Sequence, residues 1–327
     1  MIRSIPQAML DKRILSFLGM AFGITWGFVA VGYLLGVRDA SHWGYTPVAA
    51  LGMWGPGLAA LIQHRFLDRA TWNGLGLSLK GTHWGVVALT ALLGLCIVPL
   101  YLLVQYMLGE VSGSAAFGHV SITTERLIVT LEEMLASSGQ AQLSDVVTQA
   151  LYDVSAPLVL LFALGVALIA AFSINLPFML GEELGWRGYL WQSTSHWAGL
   201  RRAVFTGTVW GFWHAPFIAM GHNYPDHRAA GIGMMVLFCL LAALLFDWTR
   251  TRSRSVWSAC ILHGLINGSA GITVLFAYGG HPLLASVVGV AGFVTLALLG
   301  TLILLLDGRY RAGFLKPLHI LPVVDAA

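Results

Sequence analysis

Three short motifs in the second half of the chain place ionisable or amide side chains in apolar surroundings. The first is Gly-Glu-Glu-Leu-Gly-Trp-Arg at 181–187, the second contains Trp210 and His214, and the third contains His263 and Asn267. A carboxylate can take a proton from water as a general base, and an imidazole or an amide can donate hydrogen bonds to a developing oxyanion. These residue types together predict hydrolysis by an activated water molecule.

Helical spacing gives the two adjacent glutamates different roles. Glu183 and Arg187 are four residues apart, so they share one helix face and can form an ion pair. Glu182 is rotated by about 100° from Glu183. Arg187 can therefore neutralise one carboxylate while Glu182 acts as the base. His263 and Asn267 are also four residues apart and present an imidazole and an amide on one face.

A metal ion is a second route to an activated water. Glu182, His214 and His263 form a common ligand set for catalytic zinc, which lowers the pKa of its bound water to about 7. The chain has no His-Glu-x-x-His motif, which would fix two ligands on one helical turn. Zinc as a cofactor and a mechanism without a metal both remain open.

Composition places these motifs in a membrane protein. Of the 327 residues, 57% are hydrophobic and 10% are charged, and the mean hydropathy is +0.77. A soluble domain carries about a quarter of its residues as Asp, Glu, Lys or Arg. The net charge of +3 does not favour a nucleic-acid partner. The predicted fold is an all-α, polytopic membrane protein whose surroundings are the lipid bilayer.

Eight transmembrane helices are predicted, because a span needs about 20 apolar residues at a rise of 1.5 Å each. Their approximate limits are 14–36, 46–63, 84–108, 155–180, 203–220, 229–249, 255–277 and 284–306. Fifteen of the 18 Lys and Arg residues, Arg3 among them, then fall on one side, and Arg38, Arg126 and Arg228 fall on the other. The positive-inside rule predicts that both termini are cytoplasmic.

The chain divides into three segments on this reading. Residues 1–154 contain the N-terminal spans and an acidic, non-cytoplasmic segment at 110–153. Residues 155–277 contain the core helices with the motifs, and residues 278–327 contain the last span and a cytoplasmic tail. Apolar residues near helical spacing in the acidic segment predict a helical cap or a pair of interfacial helices.

The predicted spans place the three motifs at one depth. His214 lies about 18 Å beyond Arg202, and His263 lies about 14 Å beyond Arg254. Glu182 lies about 16 Å from the turn that ends its own helix. The three motifs are therefore expected to meet in a single polar pocket, nearer the cytoplasmic face.

In the order and spacing of its motifs, the chain resembles the CPBP intramembrane proteases, which include the CAAX prenyl endopeptidases of the Ras-converting type. The family motifs are Glu-Glu-x-x-x-Arg, Phe-x-x-x-His and His-x-x-x-Asn, and this chain matches them within residues 155–270. One position departs from the family, since Trp210 stands where Phe is usual. An aromatic side chain of either kind could form a wall of the pocket.

The resemblance implies an intramembrane protease that acts on a membrane-associated peptide or protein, with prenylation of a CAAX substrate left open. Glu182 and His214 would activate the attacking water, whereas His263 and Asn267 would stabilise the oxyanion. The supporting residues would be Glu183, Arg187 and Trp210. The family is described as metalloproteases, although the same donors can work without a metal.

Two other functions are compatible with the sequence. Buried carboxylates and histidines also relay protons in proton-coupled transporters, and a non-catalytic immunity or scaffold protein could retain the fold. Internal repeats, which favour a transporter, are not visible in the sequence. A protein that had lost its catalytic activity would have no reason to keep Glu182, His214, His263 and Asn267.

Compact loops and the absence of retrieval signals predict a prokaryotic plasma membrane.

Overall fold

The computed structural model describes residues 7–72 and 74–317 of the chain. Arg3 and the part of the predicted tail at 318–327 lie outside these residues. In the described part, helices account for nearly all regular structure, and the strands are a single pair of two residues each. The predicted all-α fold class is confirmed.

The α-helices are numbered along the chain. They are α1 Gln7–Leu34, α2 Tyr45–Met53, α3 Gly55–Leu61, α4 Trp84–Tyr106, α5 Thr124–Ser137, α6 Ser144–Leu151, α7 Ala156–Ala171, α8 Leu176–Glu183, α9 Trp191–Ser193, α10 Gly199–Trp213, α11 Ala215–Ala219, α12 Arg228–Ser253, α13 Val256–Phe276, α14 Pro282–Ala285, α15 Val290–Leu306 and α16 Gly308–Phe314.

Shorter elements continue or connect these helices. The π-helical segments are Ile62–Leu67, Met107–Val111 and Leu184–Leu190, and the 3₁₀ turns are Ala115–Phe117 and Ala141–Leu143. Strands β1 His119–Val120 and β2 Ala277–Tyr278 pair antiparallel, with His119 opposite Tyr278.

Six helical segments of the described residues are long and apolar enough to cross a membrane. They are Lys12–Leu34, Tyr45–Leu67, Trp84–Val111, Arg228–Ser253, Val256–Phe276 and Pro282–Leu306. A seventh span results if Ala141–Leu151 and Ala156–Ala171, which meet at 108°, are counted as one bent span. The chain is a multi-pass membrane protein.

The two other predicted spans are each divided between two helices. The predicted span 155–180 is divided between α7 and α8, and the predicted span 203–220 is divided between α10 and α11. Pro177 lies in the first turn of α8, and Pro216 lies in the first turn of α11. Proline is tolerated there, but its ring would clash with the preceding turn of a continuous helix. The mean hydropathy of a window of about 20 residues does not detect such breaks. This explains why the sequence predicts eight continuous spans.

Contacts between Cα atoms divide the chain into two compact units. The first unit consists of the residues up to Thr90, Pro177–Ile261 and the residues from Ala297, and the second consists of Ala91–Leu176 and Leu262–Leu296. The units are interleaved along the chain. The division at residues 154 and 277 therefore remains a prediction about the sequence.

Within the first unit, α3 packs against the segment that carries the two glutamates. A Cβ atom on Gly57 would lie 2.5 Å from the carbonyl oxygen of Gly181, and one on Gly185 would lie 2.5 Å from Cβ of Pro56. Gly181 and Gly185 form a small-x-x-x-small pattern, which allows close backbone approach in membrane helices. These glycines determine how deeply the first motif sits against α3.

Ion pairs at the ends of the first unit agree with the predicted alternation of the chain across the membrane. Arg228 forms an ion pair with Asp39, and Nε of Arg252 lies 2.6 Å from Oδ2 of Asp307. Hydrogen bonds from Ser41 and Arg228 hold the pKa of the Asp39 carboxyl below its usual value. Each pair joins two residues that the sequence places on one side. Which side is cytoplasmic stays a prediction.

Within the second unit, the acidic segment contains the helical pair α5 and α6. Thr148 donates a hydrogen bond to Glu132 Oε1 at 2.8 Å, which links the two helices. Arg126 lies 3.2 Å from Glu133 and 4.1 Å from the ring centre of Tyr278 on β2. A pair of helices in this segment agrees with the sequence pattern, and their position at the membrane interface stays a prediction.

Gly57→Ala is expected to destabilise the protein by about 1–3 kcal/mol, because the new Cβ would meet the backbone carbonyl of Gly181 rather than a movable side chain. Gly27→Ala is the matched control. Its Cβ would have nothing within 4 Å, and alanine favours a helix over glycine by about 1 kcal/mol. Unfolding of both variants in detergent measures the difference. Equal stability of the two variants would contradict the close packing of α3.

Candidate active site

The first motif begins at the end of α8 and continues into the π-helical segment Leu184–Leu190. Glu182 is 2% exposed and Glu183 is fully buried. Wide π turns are frequent at functional sites because they change the direction of side chains along a helix. Two carboxylates in an apolar unit must be compensated by specific partners.

The partner of Glu183 is Arg187, as the four-residue spacing predicts. Nη1 of Arg187 donates to Oε1 of Glu183 at 3.0 Å, and the two side chains are 3% and 0% exposed. The Arg187 guanidinium also lies 4.4 Å from the ring centre of Trp210 and 4.0 Å from that of Phe246. Cation–π contacts of this kind gain strength when water is excluded. Arg187 is thus held by a carboxylate and two aromatic faces.

A second buried arginine fixes the backbone of the same segment. Nε of Arg250 on α12 donates to the carbonyl oxygen of Arg187 at 2.8 Å, and its Nη2 donates to the carbonyl oxygen of Gly74 at 3.2 Å. The guanidinium lies 4.2 Å from the ring centre of Trp191. A donated hydrogen bond at this carbonyl satisfies a backbone acceptor in the irregular turn.

Glu182 has a different partner from its neighbour. Nε1 of Trp210 donates to Oε2 of Glu182 at 3.0 Å, and Trp210 is itself 3% exposed. Phenylalanine has no donor and could not make this bond. From the sequence, Trp210 is predicted only to form an aromatic wall of the pocket. The structure shows that it also positions the carboxylate of Glu182.

His214 lies at the break between α10 and α11. It is the C-cap residue of α10 and also the N-cap residue of α11, which contains Pro216. Nδ1 of His214 is 2.8 Å from the carbonyl oxygen of Trp210, so Nδ1 must be the protonated nitrogen of this contact. In a neutral ring the lone pair then lies on Nε2. Trp210 therefore contacts both Glu182 and His214, through its side chain and its backbone respectively.

A thiol and a second indole complete the surroundings of His214. The ring centre of Trp213 lies 4.8 Å from that of His214 at an interplanar angle of 82°, and Cys239 Sγ lies 4.0 Å from Nδ1. Nε1 of Trp213 donates to Oγ1 of Thr25 on α1 at 2.9 Å. These contacts restrict the rotation of the imidazole.

His263 and Asn267 belong to the second unit, on α13. His263 is 3% exposed and Asn267 is exposed, so the amide is accessible. Between them, the carbonyl oxygen of Gly264 accepts a hydrogen bond from Nδ2 of Asn175 at 3.3 Å. A Cβ atom on Gly264 would lie 3.0 Å from Cα of Ala171, so α13 packs closely against the end of α7.

The structure thus brings together five of the predicted residues in the first unit, and it places the other two one helical turn apart in the second. The five are Glu182, Glu183, Arg187, Trp210 and His214. The meeting of the two sets in one pocket stays a prediction.

Sequence reasoning did not single out Asp247 and Arg250. Arg250 was counted among the cytoplasmic flanking charges, although it is only 3% exposed. Asp247 lies inside the predicted span 229–249, and this ionisable residue in an apolar stretch was the available signal. Asp247 binds Arg202 through both carboxylate oxygens and also accepts a hydrogen bond from Tyr310 at 2.8 Å.

Zinc as a cofactor stays a prediction, because one of its three predicted ligands, His263, belongs to the other unit. Among the described residues, no three or more His, Cys, Asp or Glu side chains are grouped so that they could hold a metal ion. In the first unit, Oε2 of Glu182 accepts a hydrogen bond from Trp210, and Nδ1 of His214 donates to a carbonyl oxygen. The second contact is compatible with either route, since metal-binding histidines also donate their other ring N–H.

Comparison with known proteins finds similarity in the region of the chain that contains the candidate site. Residues 156–269 match the family described as "Type II CAAX prenyl endopeptidase Rce1-like", and all seven predicted site residues lie in this range. This segment of the chain is similar to the Rce1-like endopeptidases. Over 92 residues it is 30% identical to "CAAX prenyl protease 2" of Methanococcus maripaludis, which covers 26% of this chain and 34% of that relative. The match spans about a third of the relative's length. The predicted resemblance to this family is confirmed over residues 156–269.

The buried ion pair at the Rce1-like motif is expected to show strong coupling. Glu183→Gln and Arg187→Met should each cost about 3–5 kcal/mol, because each leaves one buried charge without its partner, and the double variant should cost less than their sum. Unfolding of the four proteins in detergent measures the coupling energy.

The matched control for this cycle is the exposed pair of Glu133 and Arg126. Glu133 is 63% exposed, and such pairs contribute about 0–1 kcal/mol. A coupling energy for Glu183 and Arg187 no larger than that of the exposed pair would contradict the structural role assigned to them.

Proposed function

We propose that this protein is an intramembrane endopeptidase in which Glu182 activates the water that attacks a peptide bond. The proposal rests on one observation above all, namely that two adjacent buried carboxylates have different partners. Glu183 binds the guanidinium of Arg187, whereas Glu182 accepts a neutral indole N–H. The first arrangement is structural, and the second keeps a basic carboxylate in a fixed direction.

The reaction follows from this arrangement. Water adds to the carbonyl carbon of the scissile amide while Glu182 takes one of its protons, which gives a tetrahedral oxyanion and a protonated carboxyl. The carboxyl then gives the proton to the amide nitrogen as the C–N bond breaks. A carboxylate that serves in turn as base and acid returns to its starting state after each cycle.

His214 is proposed to orient the same water. Its Nδ1–H contact with the Trp210 carbonyl directs the lone pair to Nε2 in the neutral ring, where it can accept a hydrogen bond from water. Trp210 holds both catalytic groups, so a change of its conformation moves Glu182 and His214 together. Trp210 is therefore a positioning residue.

His263 and Asn267 are proposed to stabilise the oxyanion. Their one-turn separation on α13 allows an imidazole N–H and an amide N–H to point at one oxygen atom. Removal of one such donor typically costs a factor of about 10²–10³ in rate. This role requires the two units to bring α13 to the water site, which is part of the proposal.

The substrate is proposed to be a membrane-associated protein that enters from the cytoplasmic side of a prokaryotic plasma membrane. The name of the archaeal relative points to prenylated CAAX substrates. A prenylated carboxyl-terminal peptide is therefore the first substrate to test. A mechanism without a metal is proposed, in which the side chains named above carry each step, and zinc held by Glu182, His214 and His263 is the alternative.

Cleavage by the purified full chain in detergent tests the proposal. A fluorogenic farnesylated CAAX peptide should be cleaved, and Glu182→Gln should lower the rate by a factor of about 10² or more because the base is lost. Trp210→Phe should lower kcat more than it raises KM, since it removes only the positioning of Glu182. Glu133→Gln on the exposed face of α5 is the matched control and should retain activity.

Three further results would decide the finer points. An unprenylated peptide cleaved at the same rate would contradict a prenyl requirement. Loss of cleavage with a zinc chelator, restored by zinc, would contradict the metal-free mechanism. Full activity in Glu182→Gln would contradict the function as a whole.

A further inference from the structure

A small cavity lies behind the Glu183–Arg187 pair, inside the first unit. It has room for about one water-sized particle. Its walls are Trp186, Arg187, Trp191, Arg202, Ala203, Thr206, Ala243 and Asp247. None of the residues proposed to touch substrate lines it.

The walls carry hydrogen-bond donors that lack acceptors. Nε1 of Trp186, Nη2 of Arg187 and Nε1 of Trp191 are buried without a hydrogen-bond partner among the described residues. Trp186 is fully buried and Arg187 is 2% exposed. A buried donor without a partner costs about 1–3 kcal/mol. Three such donors, on three residues that line one cavity, indicate a ligand that is not part of the chain.

The charges of the walls indicate the sign of that ligand. Two guanidinium groups lie in the walls, and each has a carboxylate partner: Arg187 pairs with Glu183, and Arg202 pairs with Asp247. Both oxygens of Asp247 already accept hydrogen bonds from Arg202. A third guanidinium, of Arg250, stacks on the Trp191 wall and forms no ion pair among the described residues. The positive charge that favours an anion is therefore that of Arg250, next to the Trp191 wall.

The number of buried donors without an acceptor favours an anion over a water molecule as the ligand. A water accepts about two hydrogen bonds and must donate its own two protons. The orphan atoms of the described wall residues are all N–H groups. A water would have to donate to the Thr206 hydroxyl or to Asp247, whose oxygens already accept hydrogen bonds from Arg202 and Tyr310. A monatomic anion accepts from three donors and donates none.

We propose that this cavity binds one small monovalent anion of the chloride type, held by Trp186, Arg187 and Trp191. The anion would keep Nη2 of Arg187 directed into the cavity, which leaves Nη1 on Glu183. The site goes beyond peptide hydrolysis, and its test does not depend on cleavage.

Thermal unfolding of the full chain in detergent, at constant ionic strength, tests the site. Sodium chloride and sodium bromide should raise Tm in a saturable manner relative to sodium gluconate, whose anion is too large, because a ligand that binds only the folded state stabilises it. Trp191→Phe keeps an aromatic ring beside Arg250 but removes one donor. It should raise the chloride concentration for half of the effect by about tenfold or more.

Trp257→Phe is the matched control, because Nε1 of Trp257 donates to the carbonyl oxygen of Leu77 at 2.8 Å, away from the cavity walls. It should keep the chloride dependence of the wild type. If Trp191→Phe does not fold, Trp186→Phe tests another donor of the same site, and anomalous scattering from bromide in crystals locates the ion directly. Equal Tm in chloride and gluconate, or an unchanged chloride dependence in the Trp191 and Trp186 variants, would overturn the proposal.

Discussion

Burial of the ion pair between Glu183 and Arg187 is the constraint on which the arrangement of the first unit depends. Charges removed from water are costly, and their mutual attraction repays this cost only if geometry and further hydrogen bonds are favourable. The surrounding residues meet this requirement. Trp210 and Phe246 cover the guanidinium, and Arg250 holds the backbone carbonyl of Arg187. The backbone of α3 approaches Gly181 so closely that a Cβ atom on Gly57 would lie 2.5 Å from its carbonyl oxygen.

Such a pair contributes little net stability in general, so its value here lies in specificity. Two adjacent carboxylates would otherwise be chemically equivalent, and their negative charges would repel each other. Neutralisation of Glu183 by Arg187 removes the equivalence and leaves Glu182 with the indole N–H of Trp210. The same tryptophan stacks on Arg187 and receives the Nδ1 contact of His214. One side chain thus links the structural pair to the proposed chemistry.

The sequence predicted those features that depend on local geometry. Four-residue spacing was sufficient for the contact of Glu183 with Arg187, and hydropathy was sufficient for the all-α membrane fold. Contacts between helices were not accessible in this way, because helix packing determines which side chains meet. The hydrogen bond of Trp210 to Glu182 and the role of Arg250 belong to this class. The helix break at His214 was predictable only in part. Pro216 indicates a new helix start there, but the average hydropathy over 203–220 predicts one continuous span.

The π-helical segment Leu184–Leu190 makes the spacing of residues along this stretch as important as their identity. A single-residue deletion that the wide turns did not absorb would rotate every later side chain by about 100°. Tyr189 would leave Asp68, to which its hydroxyl donates at 2.9 Å, and Trp191 would leave Arg250. Evolution of this stretch should therefore tolerate exchanges of amino acids far more readily than changes of length.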